Sequence, residues 1–589
     1  VLCYLMGGDG PSALYRKYKY ERQLVDSISV DNMSLARAGL LSITAQLDAD
    51  KVETFWNELT RDLAALSAKD FSPEAVARAK FNLEDSMDRA GETLNGLASW
   101  KGTVQFDLGG AQAERNLRFT QRNVDEAQLQ NAIGLWFDPA RVRVRALVPE
   151  SAPADLAARL EKTLRENWKS APHTATVMAA GAPGAGARET IDLGGGRKLI
   201  LIPDATVPYV SLDLLFTGGN ALLAPDQQGL ADLTARLLSD GCAGLDAQGV
   251  ERWVAERAAS AWASAGLQSF GVALTGPSRF NADYFGFVRD MLVSPRFEPR
   301  ELKREVENMQ SAIRQRADRP LSYMFAKVSP FLFPHGQAYG YDSLGTPELL
   351  AGYDESTVRD FWKRQGAQPW VLSVAGSFDR EAVIAFANSL PAPTGIAMTA
   401  PRPEWGKEKR LALTLPGRNQ AHLLQIYPTV PLTHADAPAL MLLESVLSGQ
   451  SGLLFTKLRD EQGLGYTVTA FNRNMPEAAF MAFYIGTTPD KLDQARKGFA
   501  EVIAGIRERP LPEELLRAGA SRLLGEYLRD RQSLASRAGE AATDALLHYP
   551  QDFQKTLLDK AAQLTPEAVQ AVARKYLVAP DAYDVTLLP

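Results

Sequence analysis

Hydrophobic and polar residues alternate along this chain in short blocks that predict β-strands and in longer blocks that predict amphipathic helices. No apolar run approaches the ~18–20 residues that a membrane-spanning helix needs. The stretch 171–188 is rich in Ala, Gly and Pro and poor in large apolar residues, so we interpret it as a linker. Before it, the pattern predicts a strand at 40–47, helices at 51–67 and 73–94, and a closing strand at 142–148.

After the linker the same pattern predicts an α+β arrangement, in which helices lie on one face of a mostly antiparallel sheet. Two strands at 197–204 and 209–219 are expected to form a hairpin. Proline-rich 391–403 separates this block from the last one. The other predicted elements are helices at 229–238, 248–263, 281–292, 299–317, 355–365 and from Arg380, a strand at 370–375, and in the last block a strand at 422–429 and a helix at 437–447.

Two parts of the chain are similar in sequence and indicate an internal repeat. Around Gly8 and Gly449 the two parts pair Ser12 with Ser451 and Leu14 with Leu453, with one single-residue gap later on, and at the same offset 71–80 align with 510–519. The start of the chain therefore resembles most of the module that ends it, without that module's opening strands.

The repeat and the linker together predict three modules. Residues 1–170 are an incomplete module that lacks its opening strands, and 171–188 are the linker. Residues 189–400 form a second type of module, and 401–589 form a final module of the first type.

Composition and charge exclude several classes of protein. The chain has 589 residues, 46% hydrophobic and 23% charged, which is typical of several globular domains. A net charge of −6 argues against nucleic acid as a partner, because binding phosphates needs a basic surface. The two cysteines, Cys3 and Cys242, make neither a disulfide framework nor a metal-binding spacing, and we expect both to be small buried residues.

The stretch 448–468 carries the best candidate site. It begins with small residues, continues as a short amphipathic helix, breaks at Gly463 and Gly465, and enters a strand. Arg459 and Tyr466 lie seven residues apart on either side of the break, so the turn sets their relative placement. Brought together, both side chains could donate hydrogen bonds to one carbonyl oxygen.

A structural interpretation of the same residues stays open. Arg459 could pair with Asp460, Glu461 or Glu444 at a helix end. Tyr466 could pack in the sheet with its hydroxyl exposed.

The stretch 448–468 resembles the segment with an Arg and a Tyr in the last domain of the pitrilysin/insulinase family of zinc metallopeptidases. The resemblance implies a chain of related domains in two halves, of which only the first domain carries the zinc motif His-x-x-Glu-His. It also implies that Arg459 and Tyr466 reach across a chamber and donate to the substrate carbonyl or the tetrahedral oxyanion at a zinc site in another domain.

The stretch 229–241 resembles the zinc helix of that family but does not carry its motif. The five motif places hold Asp232, Leu233, Thr234, Ala235 and Arg236. The first and fifth places share one side of a helix, where two imidazoles would bind zinc. Asp232 and Arg236 are expected to form an i,i+4 ion pair there instead, so this module cannot bind zinc in the family's way.

No other sequence feature replaces this metal site. The five histidines are scattered, and none has a second ligand at helical spacing. Glu305 and Glu307 lie on the helix that would supply the third zinc ligand by the resemblance, and we expect both to be ion-paired or solvated.

By this resemblance the chain is the second, third and fourth domains of a four-domain zinc endopeptidase for peptides or small unfolded proteins. The complete protein would carry zinc in an N-terminal domain that this sequence lacks, and the chain by itself would hold no cofactor and be inactive. The alternative is a non-catalytic scaffold or peptide-binding homologue that partners an active subunit. A periplasmic location is expected, with a cytoplasmic one as the alternative, and homo-oligomerisation is possible in either case.

Overall fold

The computed structural model describes residues 1–34, 39–106, 111–149, 152–153, 155–169, 188–205 and 208–589. The predicted linker lies outside these ranges except for its last residue. Helices make up 54% and strands 18% of the structure, and most strand pairs are antiparallel, which confirms the α+β prediction. In the part of the chain that is described, no helix combines the length and the apolar character that crossing a bilayer requires.

The first module is mainly helical around one two-stranded antiparallel sheet. Its core is formed by apolar side chains of α1, the first strand and α3, among them Met6, Ile28 and Phe55. A π-helix, Arg16–Glu21, follows α2 directly. The elements are α1 (Leu2–Gly7), α2 (Ala13–Tyr15), β1 (Ser27–Ser34), β2 (Gly39–Gln46), α3 (Val52–Ala65), α4 (Pro73–Arg89), α5 (Leu94–Phe106), α6 (Ala111–Asn123), α7 (Glu126–Trp136) and α8 (Leu156–Asn167).

The middle module is a six-stranded sheet with helices against one face. The strands are β3 (Glu189–Gly194), β4 (Arg197–Pro203), β5 (Tyr209–Thr217), β6 (Ser260–Ala265), β7 (Ser269–Pro277) and β8 (Trp370–Gly376), in the spatial order β3-β4-β8-β5-β7-β6. The helices are α9 (Leu230–Leu238), α10 (Ala247–Glu256), α11 (Asn281–Val293), α12 (Pro299–Gln315), α13 (Pro320–Leu332), α14 (Pro347–Ala351), α15 (Glu355–Gln365) and α16 (Arg380–Ser389).

Two predictions for this module are wrong. The strands β4 and β5 do not form a hairpin, because β8 lies between them, parallel to β4 and antiparallel to β5. The helix predicted at 248–263 ends at Glu256, and Ser260–Ala265 is the strand β6, which pairs with β7. The alanines at 261, 263 and 265 alternate with Ser260, Trp262 and Ser264, which is the two-residue period of a β-strand.

The last module is a five-stranded sheet with the spatial order β11-β12-β10-β13-β9. Its second π-helix, Phe455–Asp460, precedes β11. The strands are β9 (Arg410–Thr414), β10 (Ala421–Thr429), β11 (Thr467–Asn474), β12 (Ala479–Thr487) and β13 (Tyr583–Leu588), and the helices are α17 (Ala437–Leu447), α18 (Leu492–Glu508), α19 (Glu513–Asp530), α20 (Leu534–Leu546), α21 (Phe553–Ala562) and α22 (Pro566–Tyr576).

The structure confirms the internal repeat. The two π-helices are both six residues long, and each is followed by an antiparallel strand pair and then by a long helix. The predicted closing strand at 142–148 is wrong, because these residues form no strand. Its counterpart β13 is held between β10 and β9, and the described part of the first module contains no such neighbours.

The middle and last modules exchange a helix. Helix α20 of the last module covers the second face of the middle sheet, with Leu534 and Ala538 against Tyr209 and Ala375. Helix α13 of the middle module packs in the same way on the last sheet, where Met324 and other apolar residues of the helix join the core cluster of β10, β12 and β13. A salt bridge of 2.6 Å between Arg537 and Asp204 adds to the first contact.

The packing of α20 on the middle sheet can be tested through the pH dependence of folding stability, because α20 covers the carboxyl of Asp213. Asp213 lies on β5 beneath α20, where a Cβ atom at Gly539 would stand 3.0 Å from its carboxylate oxygen. Burial raises the pKa of Asp213 from its ordinary 3.8 to about 7. The pKa of Asp213 is higher in the folded protein than in the unfolded chain. The protonated carboxyl therefore contributes folding stability that is complete below the unfolded pKa and is lost as the pH rises toward 7.

We expect Asp213→Asn to abolish this loss. Relative to the wild type, the free energy of unfolding of the variant should rise by about 1–3 kcal/mol between about pH 5 and pH 8, measured by urea denaturation. The matched control is Asp493→Asn, whose side chain is 89% exposed. Equal pH profiles for the two variants would contradict a buried Asp213 carboxyl.

Candidate functional site

The segment between α17 and β11 folds as its residues predict: a loop, a short helix, a glycine turn and a strand. The loop turns at Gly449 with φ at +82°, and the π-helix ends before Gly463, which has φ at +59°. These are left-handed backbone conformations that favour glycine. Gly465 is needed for a different reason, since a Cβ there would lie 2.2 Å from the carbonyl oxygen of Gly486 on β12.

This local fold brings Arg459 and Tyr466 together. The Arg459 guanidinium lies 4.5 Å from the ring centroid of Tyr466 and 4.4 Å from that of Phe455. It also donates a hydrogen bond of 3.3 Å to the Tyr466 carbonyl oxygen. Tyr466 is 77% exposed, so its ring and hydroxyl face solvent beside the guanidinium. Two aromatic faces and one carbonyl thus hold the cation at the surface.

The ion pairs that would have occupied Arg459 do not form. Glu461 pairs with Lys457 at 2.5 Å, and Glu444 accepts a hydrogen bond of 2.8 Å from Asn472. Among the residues that the structure describes, no carboxylate lies within salt-bridge distance of Arg459. The guanidinium therefore keeps donors that an oxygen of another molecule can reach.

The first module carries the equivalent π-helix, but there it is docked. Tyr20 holds the fifth position of that helix, where Arg459 stands in the last module. Its side chain is buried, and its hydroxyl donates a hydrogen bond to Glu251 on α10 of the middle module. Burial raises the pKa of both Tyr20 and Glu251. The Arg304 guanidinium lies 5.9 Å from the Tyr20 ring.

The residues that Tyr20 faces are next to the helix that resembles the zinc helix. On α9, Arg236 donates to Asp232 across 3.0 Å, which confirms the predicted ion pair. Arg236 also lies 3.7 Å from Glu305 on α12. Glu307 is exposed and stands 3.9 Å from Lys303, so both glutamates are ion-paired as expected.

A second arginine extends this network. Arg304 bridges Glu305 at 3.2 Å and Asp240 at 2.8 Å, and it also bonds Glu301. Burial raises the pKa of Asp240 to about 7, which Arg304 opposes. At the places where a zinc site would lie, on α9 and α12, acidic and basic side chains therefore pair with one another.

These residues do not fit zinc. An arginine stands at the fifth motif place, and a guanidinium is always protonated and cannot donate a lone pair to a metal. In the described ranges, no three His, Cys, Asp or Glu side chains are grouped so that they could hold a metal ion.

Replacing both charged residues of α9 tests this geometry. We expect the double variant Asp232→His with Arg236→His to bind one zinc ion, because two imidazoles at i and i+4 would face the Glu305 carboxylate. Isothermal titration calorimetry on the wild type and the variant measures the gain. Adding Glu305→Gln should weaken zinc binding by at least ~10-fold, since it removes a ligand. A folded double variant without zinc affinity would show that α9 and α12 lack the metal-binding arrangement.

Sequence reasoning found Arg459 and Tyr466, and the repeat places their equivalents near Lys19-Tyr20 and Asp26-Ser27, but it missed the roles of Phe455 and Glu251. Phe455 has no motif of its own, and a π-helix has no reliable sequence signature. Glu251 is 231 residues from Tyr20, and no local pattern reports such a contact.

Comparison with known proteins agrees with the fold. Residues 1–83 and 366–523 match the sequence profile of the family described as Peptidase M16 inactive domain. The uncharacterized zinc protease YmxG of Bacillus subtilis is 25% identical over 293 residues, which cover 49% of this chain and 70% of that protein. The non-peptidase homolog YmxG of Helicobacter pylori is 23% identical over 376 residues, which cover 61% of this chain and 84% of that protein.

Solved structures share the fold. The peptidase M16 inactive domain from Pseudomonas fluorescens superposes with a TM-score of 0.62 at 19% identity, covering 68% of this chain and 98% of that one. A protease from Helicobacter pylori superposes with a TM-score of 0.63 at 16% identity, covering 69% of this chain and all of that one. The profile matches at 1–83 and 366–523 and the shared fold agree with the resemblance to this peptidase family, and what they match is its inactive domain.

Proposed function

We propose that this chain is the non-zinc portion of a zinc-dependent metalloendopeptidase that degrades peptides or small unfolded proteins. In this proposal Arg459 and Tyr466 bind the substrate by donating hydrogen bonds to its backbone carbonyl or to the oxyanion formed during cleavage. Zinc and its ligands belong to another module, in keeping with the Asp232–Arg236 ion pair on α9. The observation that carries the proposal is the Arg459–Tyr466 pair, which is held together and faces solvent.

The internal repeat supports a role opposite a zinc module. In the first module the π-helix faces the middle module, where Tyr20 bonds Glu251 beside the degenerate zinc helix. The same surface of the last module presents Arg459 and Tyr466 instead. If the two copies use this surface alike, a second module of the middle type faces Arg459, and its α9 equivalent lies within reach of both donors.

The chemistry of the pair suits an oxyanion. The guanidinium is positively charged at every physiological pH and offers several fixed N–H donors, and the phenol offers one O–H. Donors aimed at a developing negative charge contribute ~3–4 kcal/mol each to stabilising the transition state. The Arg459 guanidinium contacts the rings of both Phe455 and Tyr466. These contacts orient it before substrate binds, so little reorganisation is needed.

A second candidate function is a non-catalytic scaffold or peptide-binding homologue that partners an active subunit. The ion-paired network at Asp232, Arg236 and Glu305 favours it, because it removes any metal chemistry from the middle module. The name of the Helicobacter pylori relative, a non-peptidase homolog, points the same way. In this function the chain would hold its partner or a peptide without cleaving it.

Tyr466→Phe in the complete gene product separates the two functions. We expect about one zinc ion per protein, hydrolysis of a quenched fluorescent peptide, and a kcat lowered by ~100-fold in the variant with unchanged zinc content, because one oxyanion donor is lost. The matched control is Tyr527→Phe, since Tyr527 also pairs with an arginine, Arg531, at 2.8 Å. That control should leave kcat unchanged.

Two results would count against the peptidase proposal. A complete protein without zinc and without activity would favour the scaffold function. A zinc-containing, active protein in which Tyr466→Phe and Tyr527→Phe behave alike would remove Tyr466 from the reaction.

A further inference from the structure

We propose that Arg522, on α19, is a positioning residue for the candidate site, because it holds the loop from which the π-helix with Arg459 begins. It acts through the end of α17, at Ser445 and Ser448, and not on substrate. The role in the reaction rests on the proposed function of Arg459 and Tyr466. The hold on the loop is a property of this chain and can be measured without any activity.

Arg522 closes the C-terminal end of α17. Its Nη2 donates to the carbonyl oxygen of Ser445, its Nε donates to the Ser445 hydroxyl across 3.1 Å, and its Nη1 donates to the carbonyl oxygen of Ser448 across 3.3 Å. The last carbonyl groups of an α-helix have no partner within the helix, and a guanidinium suits them through its fixed donors and its positive charge. One planar group thus fixes the last turn of α17 and the residue that follows it.

The close approach of α19 to α17 keeps this geometry in place. The Ser445 hydroxyl donates to the carbonyl oxygen of Gly519 across 2.9 Å, and a Cβ atom at Gly519 would lie 2.9 Å from the side chain of Val446. Arg522 follows Gly519 by three residues, so both lie on the face of α19 that meets α17. Among the described residues no carboxylate stands within salt-bridge distance of Arg522, so no ion pair competes for its donors.

Ser448 connects the two ends of the segment that carries the site. Its hydroxyl donates to the carbonyl oxygen of Ala470 on β11 and accepts a hydrogen bond of 3.2 Å from the Ala470 amide. Strand β11 begins directly after Tyr466. The segment 449–466 therefore leaves Ser448 and returns beside it, and Arg522 holds the carbonyl group at this point.

The loop after Ser448 passes directly into the helix that bears Arg459. The Gly452 amide donates to the carbonyl oxygen of Gly449 across 3.0 Å, and the Thr456 amide donates to that of Gly452 across 3.0 Å. No freely jointed residues separate the held carbonyl from the helix, so a shift at Ser448 moves the helix. Because a displacement of ~1 Å can cost ~100-fold in rate, the hold by Arg522 matters for the placement of both donors.

The first module holds its corresponding loop with a different arginine. There Arg78 on α4 donates across 2.8 Å to Asp9, which lies between α1 and the π-helix, and the two side chains are 9% and 8% exposed. Helix α4 aligns with α19 in the internal repeat. In both modules an arginine of this helix thus fixes the loop before the π-helix, through a carboxylate in one and through main-chain carbonyls in the other.

Hydrogen exchange on this chain measures the hold. We expect Arg522→Ala to raise the exchange rates of the amides of 449–466 by at least ~10-fold, because the loop loses its fixed end. The matched control is Arg517→Ala, which removes an arginine of the same helix that is 67% exposed and pairs with Glu513. That control should leave these amides unchanged.

The variant is expected to fold, because Asn472 on β11 still bonds the Leu440 carbonyl and the Glu444 carboxylate of α17. If Arg522→Ala fails to fold, Arg522→Lys takes its place. Lysine keeps the charge but donates from a single atom, so it cannot hold Ser445 and Ser448 together, and exchange of 449–466 should rise as well. Unchanged exchange of 449–466 in a folded Arg522 variant would overturn the proposal.

Activity of the complete gene product separates positioning from a merely structural role. We expect Arg522→Lys to lower kcat by ~10-fold with KM and zinc content unchanged, because misplaced donors weaken binding of the transition state more than that of the substrate. In a Tyr466→Phe background the same change should lower kcat much less, since the two substitutions impair one pair.

Equal losses of kcat in the two backgrounds would overturn the positioning role. A complete protein that is inactive, or one in which Tyr466→Phe behaves like its control, contradicts the proposed function and with it any part of Arg522 in the reaction. In that case raised exchange of 449–466 in Arg522→Ala still supports the hold on the loop, and unchanged exchange overturns it.

Discussion

The exchange of helices between the middle and last modules is the constraint on which the structure depends. A sheet with two apolar faces must have both covered, and each of these modules covers only one face with its own helices. Helix α20 covers the middle sheet and α13 covers the last sheet. Small residues of α20, among them Ala538, Ala541 and Ala542, allow the helix to lie close to the strands. If the two modules were separated, each sheet would expose one apolar face, so each module depends on the other to bury its sheet.

The two π-helices differ in what they contact. The first module holds its π-helix against the middle module, with Tyr20 at the position of Arg459 and Glu251 on α10 as its partner. In the last module the equivalent π-helix carries Arg459 beside the exposed Tyr466.

The sequence predicted those parts of the fold and site that depend on local interactions. Helix α15 was predicted at its observed limits, since Asp354 caps its first turn through the Thr357 amide and Gly366 follows its end. The Asp232–Arg236 pair was predicted for a similar reason, because residues i and i+4 of a helix are neighbours.

The sequence did not predict the interactions that span long distances. The insertion of β8 between β4 and β5 joins segments more than a hundred residues apart, and nothing in the two segments encodes their separation by a third strand. The strand wrongly predicted at 142–148 also depends on interactions with distant segments. Its alternating pattern suits a strand, but a strand also needs neighbours, and β10 and β9 supply them only in the last module. The stacking of Arg459 between two rings likewise depended on a turn whose geometry glycine permits but does not specify.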